Sequence, residues 1–418
     1  MKTKTHPHPP AARLLELTRV LSGHGRRSTG VDRVCLAYLR ALCADNVPLF
    51  GLYKSSLGYI LLNQAGVEAL LQKLDGVVPW GEADWLSKMR RRAGVHAQVV
   101  ETECRRLRLA RCRPRGLQRM LQRHLPEGTT YVNVDQANLS ARVLQAVKAL
   151  PGGRVAVFLH DTIPLDHPEL QTEAARLKLE KIIARAQAHA DVILTNSQVS
   201  AEDIRGHMSA LGVVPQITVT HLGVEPVFFQ NGDNPPPVDV PKPYFLMLGT
   251  IEPRKQHGMI LDVWEALDQE LDPSEMPHLV ICGRRGWMSE ALFQRLDDSP
   301  LRGRFLHEFN DLSDAEVHAL TTQCTASLFP SIAEGFGLPG AEAAAAGVTV
   351  LCSDLPVFRE ILGDIPIYAG VSDSYAWKTA IVDLTRQEQA RGAEKPGKRK
   401  SYTPPTWDAH FNTVLKVV

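Results

Sequence analysis

Two stretches decide the fold: Ala326-Ser-Leu-Phe-Pro330 and, four residues on, Glu334-Gly-Phe-Gly-Leu-Pro-Gly-Ala-Glu342, which runs into Ala343-Ala-Ala-Ala346 and Gly347. The first reads as a short buried strand. The alanine run reads as a helix starting near Ala341 and ending at Gly347. Between them lies a glycine-rich turn, so the segment is strand, turn and helix N-terminus. Backbone N–H groups left free at such a turn, with the helix dipole behind them, favour a phosphate. Carboxylates eight positions apart, Glu334 and Glu342, accept hydrogen bonds from sugar hydroxyls. Phosphate donors and hydroxyl acceptors at one helix start suit a nucleotide-sugar. The same turn also occurs in α/β proteins that hold no ligand.

Moving outward, Leu248-Gly-Thr-Ile-Glu-Pro-Arg-Lys255 closes the apolar strand Tyr244–Leu248 and precedes a helical pattern from His257 to Leu271. It is a loop at the carboxyl end of a parallel sheet, where α/β proteins bind ligands. Arg254 and Lys255 are adjacent cations that can neutralise a departing diphosphate, or simply a surface pair. Phe158-Leu-His-Asp-Thr-Ile-Pro164 ends another strand. His160 there can hydrogen-bond a sugar, act as an acid or base near neutral pH, or form a structural pair with Asp161. In Ser28-Thr-Gly-Val-Asp-Arg-Val34, Gly30 lets backbone approach a phosphate closely. Asp32 and Arg33 beside it read equally as an ion pair at a helix start.

The rest of the chain alternates strand and helix patterns. Strands are expected at Arg13–Leu21, Tyr131–Val134, Arg154–Leu159, Asp191–Thr195, Ile217–Thr220 and His278–Cys282, with helices at Val31–Leu42, Thr172–Ala190 and Leu312–Thr321. Such alternation predicts parallel doubly wound sheets. The Asn-, Asp- and Pro-rich run 231–243 forms neither helix nor strand and reads as a linker. The expected division is therefore an N-terminal domain over 1–230, the linker 231–243, a C-terminal domain over 244–400, and a last helix over 401–418 that opens at Trp407-Asp408.

Composition narrows the function. A chain of 418 residues with a 44% apolar fraction supports two cores. A net charge of +1 argues against an obligate nucleic-acid binder. Seven scattered cysteines without a C-x-x-C pair fit a reduced, cytoplasmic protein rather than a disulfide scaffold or zinc site. No apolar run approaches the ~18 residues of a spanning helix, and the Lys-, His- and Pro-rich start lacks a signal-peptide core. Between Lys88 and Arg123 basic residues crowd into a stretch expected to be helical. That stretch is a solvated face or a docking surface for an anionic membrane, and it lacks the aromatic residues that stack on single-stranded nucleic acid.

The Glu334–Glu342 spacing, with Gly347-Val-Thr-Val-Leu-Cys-Ser353, Glu360 and Gly363-Asp364 after it, resembles the E-x7-E block of the retaining GT-B glycosyltransferases of family 4, the glycosyl transferases group 1. Resemblance is strongest from Gly249 to Tyr368. It implies an α/β, GT-B fold of two Rossmann-like domains facing across a cleft. It also implies metal-independent transfer of a sugar from a nucleotide-diphosphate donor to a saccharide or lipid-linked saccharide acceptor, with no cofactor, in surface polysaccharide assembly. By the same resemblance Glu342 holds the ribose and Glu334 the transferred sugar. Arg254, Lys255 and the Gly337 and Leu338 amides hold the diphosphate, and His160 faces the sugar. Gly30, Gly249, Thr250, Gly283, Asn310, Leu312, Gly335 and Phe336 complete the donor pocket. Thr250 departs from the arginine that many members carry after the loop glycine, which makes Arg254 the substitute cation. Loops of the Glu-Pro-Arg-Lys style favour GDP-mannose. The absence of D-x-D counts against the metal-dependent GT-A class. A nucleotide-sugar 2-epimerase of the same architecture, or a nucleotide-binding scaffold, are the alternatives.

Overall fold

The computed structural model describes residues 9–23, 25, 29–89, 94–225, 239–391 and 401–418. Ser28, the Arg90–Arg92 triplet and positions 231–238 of the expected linker lie outside the described residues.

The first half builds an eight-stranded sheet from β1 (Arg13–Glu16), β2 (Leu49–Ser55), β3 (Gly58–Leu62), β4 (Ala110–Cys112), β5 (Thr130–Asn133), β6 (Arg154–Phe158), β7 (Val192–Thr195) and β8 (Gln216–Val219). Their order is β4-β3-β2-β1-β5-β6-β7-β8. The second half builds a six-stranded sheet from β9 (Tyr244–Leu248), β10 (His278–Cys282), β11 (Leu306–Phe309), β12 (Ala326–Phe329), β13 (Thr349–Ser353) and β14 (Ile367–Ala369), in the order β11-β10-β9-β12-β13-β14. Every pairing of the second sheet is parallel. Strands such as β6 and β12 are near-continuous apolar runs because helices cover both faces.

Three expectations need correction. The first sheet is not wholly parallel: β2–β3 pair antiparallel through the turn at Ser56–Leu57, and β3–β4 also pair antiparallel. Arg13–Leu21 is not one strand, since β1 stops at Glu16 and a short helix runs Thr18–Ser22. Leu17, Val20 and Leu21 lie at helical rather than alternating spacing, and all three are buried. The basic stretch Lys88–Arg123 is not one helix. It contains the helix Val95–Arg106, the edge strand β4 and the helix Leu117–His124.

Each half has its own apolar cluster, and a third cluster runs through both. The final helix, Trp407–Val414, belongs to that shared core. His410 Nε2 lies 3.0 Å from Tyr38 Oη in the helix Gly30–Ala44, and Arg13 Nε donates to the Val418 carbonyl at 3.2 Å. The chain end is thereby tied back to the first sheet.

Candidate active site

The loops after β9 and β12 are laced together by one buried ion group. Lys255 Nζ pairs with Glu334 Oε1, and Arg254 meets Glu334 Oε2 at 2.8 Å. These side chains are 13, 14 and 9% exposed for Lys255, Arg254 and Glu334 respectively. Ser331 Oγ donates to Glu334 at 2.7 Å. Arg254 also donates to Glu252 at 2.6 Å and to the Ala333 carbonyl at 2.7 Å, while its own carbonyl accepts from Ile332 N at 2.9 Å. Burial on its own raises the Glu334 carboxyl, but Arg254 and Lys255 overcome it and hold the group down to about 2. Burial lowers Lys255, with Glu334 opposing. The arrangement is a carboxylate locked between two cations, each of which an anion could compete for.

Glycines bring the loop backbones close to one another. A Cβ on Gly283 would meet the Gly249 carbonyl oxygen at 1.8 Å, so the ends of β9 and β10 approach as only glycine permits. Lys255 Nζ lies beside Gly249. Gly337 has φ +78° and precedes the helix Leu338–Ala345, which carries no side-chain cap at its start. The helix thus begins at Leu338, three residues before the expected Ala341, and Glu342 sits inside it rather than at its mouth. Pro339 is compatible because the first turn needs no N–H from it.

From the opposite side, the loop after β6 closes on this group. A Cβ on Gly335 would meet the His160 carbonyl oxygen at 2.8 Å, and Ser197 Oγ donates to the Gly335 carbonyl at 2.9 Å. His160 Nε2 donates to the Val134 carbonyl at 2.8 Å, so it is not paired with Asp161. Burial carries His160 down to about 4, which leaves the ring neutral at pH 7 and removes the acid role there. Burial raises Asp161, with Arg254 opposing.

Arg33 and Glu342 form an ion pair between the two halves, with Glu342 only 2% exposed. Burial raises the Glu342 carboxyl and Arg33 opposes it. Asp32 does not pair with Arg33. It accepts from Arg19 at 2.7 Å and closes a capping box with Thr29 at the start of the helix Gly30–Ala44. Gly30 opens that helix with no atom within 4 Å of where its Cβ would stand. A second clasp joins the halves: Glu360 accepts from Gln198 N at 2.6 Å, Val199 N at 3.2 Å and His221 Nε2 at 2.9 Å.

Residues 230–389 match the description "Glycosyl transferases group 1". The match covers the second sheet and its helices, less than half of the chain. The serotype-specific mannosyltransferase WbdA of Escherichia coli is 30% identical over 228 residues, covering 50% of this chain and 27% of WbdA. The O-antigen chain mannosyltransferase RfbU of Salmonella typhimurium is 34% identical over 152 residues, covering 35% of this chain and 40% of RfbU. The chain therefore spans less than half the length of either relative. Anabaena HepE, solved with UDP and glucose, superposes with a TM-score of 0.58 at 12% identity over 98% of this chain and 95% of its own. Trehalose-6-phosphate synthase OtsA gives 0.58 at 12% identity over 97% and 96%. The fold is the GT-B fold of two Rossmann-like domains across a cleft.

The structure brings Gly249, Arg254, Lys255, Glu334, Gly335 and the His160 backbone together, while Gly337 packs against Phe358. Phe336 and Leu338 are buried beside it. Thr250 is exposed, with its methyl 2.8 Å from a Cβ built on Gly286. Asn310 is exposed and Leu312 half-buried on the loop after β11. Neither makes a described hydrogen bond to the Glu334 group. Arg285, beside Gly283, is spent on Asp297 and Glu308. Sequence reading missed Ser331 and Glu252, which orient the ion group, and Glu360 as an interdomain cap. A serine three residues before Glu334 was the available signal.

Proposed function

We propose that the protein is a retaining, metal-independent hexosyltransferase that moves mannose from GDP-mannose to a saccharide or lipid-linked saccharide in surface polysaccharide assembly. The observation that carries the reading is the buried Arg254–Lys255–Glu334 group at the uncapped start of the helix Leu338–Ala345. Two cations and a helix N-terminus are suited to a diphosphate leaving group. Residues 1–230 are read as the acceptor side, 244–400 as the donor side, and 401–418 as the returning helix. The mannosyltransferase relatives support the choice of sugar.

In this reading the donor diphosphate draws Arg254 and Lys255 from Glu334, and the freed carboxylate accepts sugar hydroxyls. Displacement of Arg33 lets Glu342 accept from the ribose. His160, neutral, hydrogen-bonds the sugar. No carboxylate is assigned as nucleophile, so retention follows a same-face course in which the departing phosphate oxygen takes the acceptor proton. Negative charge then grows on the leaving diphosphate, where the two cations stand. Closure of the halves limits hydrolysis by excluding water.

Among the described residues no helix is long and apolar enough to cross a membrane. We read the protein as cytoplasmic and docked at the inner membrane face through the basic stretch. There Arg105 is buried against Glu101 and Asp84, while Arg108, Arg111, Arg113, Arg115, Arg119 and Arg123 remain exposed.

The test is transfer from GDP-mannose in EDTA to a panel of mannose-terminated oligosaccharides, with product anomers read by NMR. An α-linked product supports the reading. A β-linked product, or a strict metal requirement, would overturn the retaining, metal-independent assignment.

A further inference from the structure

A cavity of about 490 Å³ opens at the carboxyl edge of the first sheet, away from the Glu334 group. Lys54, Lys178, Lys181, Arg185, Gln136 and Asn138 line it. Lys54 sits near the end of β2, and the other three cations lie along one face of the helix Glu173–His189. None of Lys54, Lys178 and Lys181 has a carboxylate partner among the described residues, and no acidic residue lines the cavity. Arg185 is anchored by a hydrogen bond of 3.1 Å to the Leu139 carbonyl.

The floor is built at a cost. Gln136 and Asn138 both hold left-handed backbone, with φ of 57° and 53°, which non-glycine residues rarely adopt. Asn138 donates to buried Glu16 at 3.1 Å, while its own Oδ1 is buried with no hydrogen-bond partner. Strained backbone of this kind is a feature that folds keep at binding sites, while Asn138 Oδ1, an acceptor, offers nothing to an anion. The floor also adjoins the transfer site, because Gln136 Nε2 donates at 3.4 Å to the carbonyl of Phe158, two residues before His160.

We propose that this cavity is a subsite for a phosphate or diphosphate group carried by the acceptor. Several cations gathered without a counter-carboxylate suit a multiply charged anion, and Lys binds phosphate as a point charge. The inference rests on the transferase reading, since it takes the ligand to be the acceptor. An anion held here would set the sugar next to it on the His160 side of the cleft. Two carriers share the chemistry: a lipid diphosphate bearing a saccharide, and a soluble phosphorylated saccharide.

The test is calorimetric titration of inorganic pyrophosphate into the full chain presaturated with GDP, comparing wild type with the surface double variant Lys178→Glu/Lys181→Glu. The inference expects pyrophosphate binding in wild type that weakens by about tenfold or more in the double variant, while GDP affinity stays the same. Equal pyrophosphate affinity in the two proteins, or none in wild type, overturns it. Failure of GDP to bind wild type would sink the donor-site reading instead, because the pyrophosphate comparison is read independently. Phosphatidylcholine vesicles carrying a polyprenyl diphosphate, set against mannose 6-phosphate in solution, then name the carrier. Whichever displaces pyrophosphate is the source, and displacement by neither overturns the assignment to an acceptor.

Discussion

Among the described residues, Glu334→Gln removes the only carboxylate that Lys255 pairs with and one of two that Arg254 meets. Its effect can be worked from the carboxyl, which lies at about 2 against an ordinary 4.5. This depression corresponds to roughly 3 kcal/mol favouring the ionised form in the folded state. Because the folded value is depressed, this stability is present above about pH 4.5 and is lost as pH falls toward 2. At neutral pH the variant forgoes it and leaves Lys255 buried without its counter-ion. For a domain of ~150–250 residues, 3 kcal/mol is roughly 6–12 °C in Tm. GDP should reverse much of the loss, since its diphosphate supplies the missing anion. Calorimetry with and without GDP in EDTA therefore expects a lower apo Tm for Glu334→Gln and a larger GDP-induced rise than in wild type. An apo Tm within about 1 °C of wild type, or a GDP shift no larger than wild type's, would refute the reasoning.

Other outcomes follow from single contacts. Arg33→Ala leaves Glu342 free for the ribose, so nucleotide affinity should rise several-fold; a fall would mean that Arg33 itself holds the donor. Gly337→Ala forces a Cβ to within 2.4 Å of Phe358 Cε1 at a left-handed φ, so thermal unfolding should show a loss of about 1–3 kcal/mol. Gly30→Ala, by contrast, meets nothing within 4 Å, and its Tm should stay within a few degrees while the KM for donor or acceptor rises. His160 is depressed from 6.5 to about 4, so its stability contribution is present above pH 6.5 and is lost as pH falls toward 4. Stability of wild type and His160→Gln should accordingly converge with acidification, and the rate profile of wild type should carry no His160 inflection near 6.5.

How much was legible from the residues varies with the element. Tyr244–Leu248 and His278–Cys282 read correctly to the residue because both are unbroken apolar runs bounded by Pro243, Gly249 and Gly283. The Glu334 turn was legible through its glycines, but its helix start was not, since Pro339 obscured the first turn. The β2–β3 hairpin went unread although Ser55-Ser-Leu-Gly58 is a turn between two apolar runs. Glu16 was missed because a buried acid inside Leu14-Leu-Glu-Leu17 looks like the polar half of an alternating strand. Only the fold shows Tyr131 Oη donating to Glu16 at 2.9 Å and Arg19 N donating to Asp135 at 3.1 Å. The partner of Arg33 lies 309 positions away, so no local pattern could have found it.

The most direct measurement is titration of wild type and Lys255→Ala with GDP, UDP, dTDP and ADP in EDTA. The account predicts that one nucleoside diphosphate, GDP foremost, binds wild type without metal and binds Lys255→Ala at least about tenfold more weakly. Binding of no nucleotide, or equal binding to both proteins, would contradict the claim that Arg254, Lys255 and Glu334 form the donor diphosphate site.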